Sequence, residues 1–100
     1  MKPVVLQSEA KAELRKSRRW YDKRWAGLGD ELLNEVLAAL DKIERDNFIG
    51  LKFEKTRFRF HRLDRFPYVV YYESLKDHVR VVAIAHERRR PGYWKRRKPE

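Results

Sequence analysis

A chain of 100 residues with 42% hydrophobic and 40% charged residues makes one domain with a small core, which excludes a large enclosed active-site cavity and puts any chemistry on an open face. Lys and Arg number 25 against 15 Asp and Glu, a net charge of +10, so the expected partner is a polyanion or a strongly acidic protein segment. With no cysteine, no run of membrane-spanning length and no signal-peptide core, disulfides, thiolate metal sites and a membrane partner are excluded, and a cytoplasmic protein is expected.

Val4, Val5 and Leu6 form a first strand. Ser8 ends it and, with Glu9 behind it, reads as a helix N-cap followed by a first-turn acid. Helix one runs to about Trp25, with Ala10, Leu14, Ser17 and Tyr21 on one weakly apolar stripe and Lys16, Arg18, Arg19, Lys23 and Arg24 around it. Gly27-Leu28-Gly29 closes this helix, and Asp30 caps the next after a link short enough for an antiparallel hairpin. Helix two, about Glu31 to Asp46, carries Leu33, Val36, Leu40 and Ile43 at helical spacing, widened by Leu32, Leu37 and Ala39.

Residues 47–54 read as a loop around Gly50, with Phe48, Ile49 and Leu51 covering a core edge. From Lys55 the period becomes two, with Arg57, Arg59 and His61 alternating against Thr56, Phe58 and Phe60. Phe66 to Glu73 is the third strand and admits Pro67 at its start. The fourth, Val79 to His86, is apolar on both faces through its middle, as a central strand should be, with Val79, Val81, Ala83 and Ala85 opposite Arg80, Val82, Ile84 and His86. The predicted fold is α+β, in the order β-α-α-β-β-β. A helical hairpin packs on one face of a small, mainly antiparallel sheet, and Arg57, Arg59, His61 and a set of tyrosines stay accessible on the other face.

Beyond His86 the chain reads Glu87, Arg88, Arg89, Arg90, Pro91, Gly92, Tyr93, Trp94. Residues 86–100 hold seven cations against two acids, half of the net charge. Pro91 and Gly92 define a turn that swings Tyr93 and Trp94 back towards the sheet. His61, His78 and His86 lie far apart with no carboxylate pair at ligand spacing, so neither a metal nor a cofactor is expected.

Glu9-Ala10 at the start of helix one, Trp20-Tyr21 followed by Gly27-Leu28-Gly29, the run Phe66-Pro67-Tyr68-Val69-Val70-Tyr71-Tyr72, and His-x-Arg-Arg-x-Pro-x-Tyr-Trp from His86 to Trp94 together resemble the RelE/ParE superfamily of toxins from type II toxin-antitoxin modules. The four patches span nearly the whole chain in family order. The resemblance implies one toxin domain over residues 1–100, an acidic antitoxin as partner and a toxin-antitoxin hetero-oligomer. It leaves the target open between DNA gyrase, as for ParE-like members, and messenger RNA in the ribosome, as for RelE-like ones. Where the nucleases place arginines, this chain has Pro67-Tyr68 and Glu87, which is nearer to the ParE-like pattern.

A ribosome-dependent nuclease needs a proton acceptor for the ribose 2′-hydroxyl, cations for the phosphorane and a donor for the leaving oxygen. His86, Arg88 and Tyr93 are the candidates for those roles. Arg57, Arg59, His61, Arg88, Arg89, Arg90, Trp94, Lys95, Arg96 and Arg97 are the candidates for contacts with target or antitoxin. A third reading is a basic nucleic-acid-binding domain with no poison activity.

Overall fold

The computed structural model describes residues 2–100. The chain runs β1 (Val4–Leu6), α1 (Ser8–Arg24), α2 (Leu28–Arg45), β2 (Leu51–Lys52), β3 (Arg59–Arg62), β4 (Tyr68–Ser74) and β5 (Val79–His86). The sheet order is β1-β5-β4-β3-β2, with β1 parallel to β5 and every other pair antiparallel. The predicted order therefore holds, with one short strand added inside the segment expected to be a loop.

α1 and α2 lie on one face of the sheet. Ala10, Leu14, Leu32, Val36, Ala39 and Ile43 meet Tyr68, Val70, Tyr72, Val79, Val81 and Ile84 there. The buried stripe of α2 passes through Leu32, Val36, Ala39 and Ile43. Leu33 and Leu40 are its partly buried flank, and Leu37 is exposed. The two helices touch closely at Gly29, where a Cβ would stand 2.6 Å from the Arg18 carbonyl oxygen and 2.7 Å from the Asp22 carboxylate. That space is taken by a bond: the Gly29 N–H donates to Asp22 Oδ1 at 2.7 Å.

Helix starts depart from expectation. Ser8 is the first residue of α1, preceded by Gln7 as the capping position, and the bond comes from the far end of the chain. The Ser8 N–H donates to Glu100 Oε1 at 2.7 Å, and its hydroxyl donates to the other oxygen. α2 is entered through Gly27 at φ 89°, and Asp30 sits in its first turn, bonded to Arg18.

The second face of the sheet is also covered, which corrects the expectation of an open cationic surface there. Phe53, Phe58 and Trp94 pack on Val69, Tyr71, Val82, Ala83 and Ala85. Trp94 is fully buried, with ring centroids 4.6 Å from Tyr71 and 4.7 Å from Phe58. Its indole N–H has no partner among the described residues, a cost of roughly 1 to 3 kcal/mol that the aromatic burial has to exceed. Phe53 takes the covering role assigned to Phe48, Ile49 and Leu51, which are exposed.

β3 begins only at Arg59, so the alternation read from Lys55 does not reach Arg57. Arg59 pairs with Tyr72 and His61 with Val70 in register, which puts both on the helix side. Arg57 lies on the other face and holds Glu73 at 2.6 Å. β5 breaks alternation as well. Tyr71 pairs with Ala83 and Tyr72 with Val81, so Val82 is an extra residue, a bulge. Beyond it the faces exchange, and Ile84 and His86 join the helix side while Ala83 and Ala85 turn to the second core.

A buried ion pair ties the sheet to the basic tail. Glu73 and Arg80 are 2% and 3% exposed. Arg80 Nε donates to Glu73 Oε2 at 3.1 Å, Nη1 to Gln7 Oε1 at 3.0 Å, and Nη2 to the Arg97 carbonyl at 2.8 Å. Burial pulls the Arg80 guanidinium below its usual range, and Glu73 opposes that pull. Glu73→Leu is expected to cost about 3 to 5 kcal/mol in urea unfolding, because Arg80 is left buried with no carboxylate bonded to it. The double replacement Arg80→Met/Glu73→Leu should recover most of the loss; a double variant no more stable than the single one would contradict this account.

Candidate functional site

β1 is only three residues long, so it pairs with β5 no further than Val81, whose carbonyl takes the Gln7 N–H at 3.0 Å. From Val82 to His86 that edge of β5 is without a neighbouring strand. Two side chains bond to it. Glu13 of α1 accepts the Ile84 N–H at 3.0 Å, and Arg97 Nη1 donates to the Val82 carbonyl at 2.9 Å. The two are themselves paired at 3.1 Å.

Glu13 is the meeting point of the carboxy-terminal segment. It accepts the Tyr93 hydroxyl, both terminal nitrogens of Arg97, and Arg89 Nη1 at 3.5 Å. Gly92, at φ 88°, supplies the left-handed turn that Tyr93 and Trp94 require to fold back. The two rings then part. Trp94 enters the second core, and Tyr93 reaches α1 with Arg89 stacked 3.7 Å from its ring. The phenol of Tyr93 is held far above its ordinary range, first by burial and then by the hydrogen bond to Glu13.

His86 ends β5 on the helix side, its ring edge-on to Tyr68 at 5.3 Å. Its Nδ1 accepts the Arg88 N–H at 3.1 Å, so in the neutral ring the proton sits on Nε2. Beside it opens a groove of about 360 Å³ between α1 and the β5 edge, walled by Trp20, Tyr21 and Tyr68, with Glu13, Lys16 and Arg89 on its rim.

The predicted site residues thus fall into separate places. His86 and Arg89 share the groove, and Tyr93 and Arg97 meet at Glu13 next to it. Arg88, Arg90, Lys95 and Arg96 project outward, and Trp94 is core. Arg57 sits on the second face. Arg59 lies at the far sheet edge, bonded to the Gly50 carbonyl at 2.8 Å and stacked on Phe48. His61 faces α2, and its basicity is lowered by burial and then by Lys42. Among the described residues no cluster of acidic or histidine side chains is arranged to hold a metal ion, and no helix is long and apolar enough to cross a membrane. Glu13 carries little signal in the sequence because an acid on a basic helix looks solvated; its one mark is that it lies three residues from Ala10 on the inward side.

The model for the ParE toxin of the type II toxin-antitoxin system parDE matches residues 4–91. This chain belongs to the ParE toxin family. It is a type II toxin, as the four sequence patches implied. Among solved structures, the chromosomal ParDE toxin-antitoxin system from P. aeruginosa is similar in fold, with a TM-score of 0.67 at 15% identity, over 86% of this chain and 96% of that one. No curated protein matches.

The half-buried phenol of this toxin carries a pH prediction. Because its native value lies above the unfolded one near 10, native Tyr93 keeps its proton where the unfolded chain has lost it. Its contribution is therefore complete below about pH 10 and is lost as pH rises beyond that. Denaturant unfolding of the Tyr93→Phe variant from pH 9 to 11 is expected to show a shallower alkaline loss of stability than the parent, with the two converging at high pH. Identical slopes would contradict the Glu13 contact.

Proposed function

We propose that this toxin inhibits growth by acting on DNA gyrase, and that an acidic antitoxin holds it inactive by covering its basic surface. The gyrase reading follows the ParE-like patterns at Phe66 to Tyr72 and His86 to Trp94, together with the family assignment. The observation that carries the choice between targets is the hydrogen bond from the Tyr93 hydroxyl to Glu13. A ribosome-dependent ribonuclease that draws its acid and base from this chain needs those groups free to exchange protons at neutral pH. In this chain the phenol is committed to a carboxylate and raised away from neutrality, and the imidazole spends Nδ1 on the backbone of Arg88. Arg88 is exposed, and the guanidinium groups over the phenol are those of Arg89 and Arg97.

A gyrase poison needs no acid-base set of its own, because the enzyme it binds makes and reseals the DNA break. What it needs is a rigid cationic face. Arg88, Arg90, Lys95 and Arg96 provide that face on a segment pinned from beneath by Trp94, Arg97 and Glu100. The same cations suit an acidic antitoxin, with steering that weakens as salt rises.

Purified toxin incubated with gyrase, ATP and relaxed plasmid is expected to stop supercoiling and to accumulate cleaved DNA. His86→Ala should retain most of that effect, whereas Arg88→Glu/Arg90→Glu should lose it. Undisturbed gyrase turnover in excess toxin, with a message cut on programmed ribosomes, would overturn the proposal in favour of the nuclease.

A further inference from the structure

The groove beside β5 combines aromatic side chains, cations and an unpaired strand edge. Trp20, Tyr21 and Tyr68 line the groove, packed edge-on at 5.0 and 6.2 Å, together with Ile84, and Arg24 stacks on Trp20 3.3 Å from its ring centre. Its volume of about 360 Å³ lies in the range of small-ligand sites, roughly 300 to 1,000 Å³. Lys16 and Arg89 stand on the rim. Glu13 is the only acid lining it, and its charge is answered by Arg97 and Arg89.

The strand edge supplies polarity as well. The Glu87 N–H bonds to the Pro67 carbonyl, on the β4 side. Strand alternation then turns the groups of His86 and Ile84 to the opposite edge, where the Ile84 N–H is taken by Glu13 and the His86 carbonyl by the Arg89 N–H. The Ile84 carbonyl and the His86 N–H remain on that edge as an acceptor and a donor two residues apart, without a side-chain partner among the described residues; His86 is half-buried and Ile84 is 1% exposed, so only a ligand seated tightly against the edge reaches both. An acceptor and a donor side by side complement the amino group and N1 of adenine: the amino group donates to Ile84, and the His86 N–H donates to N1.

We propose that this groove is a nucleotide site that takes an adenine base against the Trp20 ring, read by the β5 edge, with its phosphate on Lys16 and Arg89. Stacking on an indole together with cation-held phosphate is how single-stranded nucleic acid is gripped without a deep pocket. Free adenine nucleotides and adenines in a single strand share this chemistry.

Titration of the purified toxin, followed by indole fluorescence and calorimetry, tests the proposal with AMP and with decamers of deoxyadenosine, deoxyinosine and thymidine. Deoxyadenosine is expected to bind about tenfold or more tighter than deoxyinosine, whose keto oxygen and N1–H oppose the β5 edge group for group. Trp20→Ala should weaken binding about tenfold, whereas Trp25→Ala, an exposed ring of the same basic hairpin outside the groove, should leave it unchanged. AMP within a few-fold of the adenosine decamer would identify the source as a free nucleotide; a decamer far tighter than AMP would identify a single strand. Equal affinity for all three decamers with no effect of Trp20→Ala would overturn the site and leave only attraction to a +10 surface. Poly-glutamate binding that Trp20→Ala abolishes, with no adenine preference, would overturn it in favour of an acidic peptide. None of these outcomes depends on whether gyrase is the target.

Discussion

One carboxylate, that of Glu13, decides how the end of this chain is held. β1 is too short to cover β5, and an uncovered strand edge invites pairing with other chains. Glu13 takes the Ile84 N–H from that edge and, with the same two oxygens, fixes Tyr93 and Arg97. Without it, a strand donor, a phenol and a guanidinium would each lose a partner in a partly dry site, at roughly 1 to 3 kcal/mol apiece. A segment rich enough in charge to be disordered is ordered instead because these groups are satisfied inside.

The remaining anchors work from the other side of the sheet. Arg80, buried against Glu73, presents two nitrogens to the Arg97 carbonyl, and Gln7 reaches the Lys98 carbonyl at 2.8 Å. Glu100 then binds Ser8 at the start of α1, and these bonds hold its carboxyl below the usual range. Thus the tail's backbone and its inward residues are tied down, while Arg88, Arg90, Lys95 and Arg96 face solvent. The backbone beneath the toxin's basic surface is tied down rather than loose, and a backbone already ordered loses less conformational entropy when a partner binds.

Element order, the helical hairpin, the mainly antiparallel sheet and the inward turn at Gly92 were legible in the sequence, because periodicity and the Gly and Pro positions report local geometry directly. The faces of the strands were not. Val79 to His86 alternates without fault as written, yet the bulge at Val82 exchanges its faces, and nothing in a run of valines and alanines marks where an extra residue enters. Arg57 was placed with Arg59 and His61 because the pattern extends unbroken to a strand that begins two residues later. Long-range polar bonds were equally hidden. Glu13 with Arg97 and Ser8 with Glu100 join opposite ends of the chain, and residue type alone does not tell a buried acid from a solvated one.

The account rests on Glu13 closing the edge of β5, and amide hydrogen exchange reads that contact at one atom. In Glu13→Ala the Ile84 amide is expected to exchange roughly 10- to 100-fold faster than in the parent, as loss of a hydrogen bond to a charged group implies. The Val70 amide, in the middle of β4, should change little. An Ile84 amide protected equally in both proteins would contradict the account.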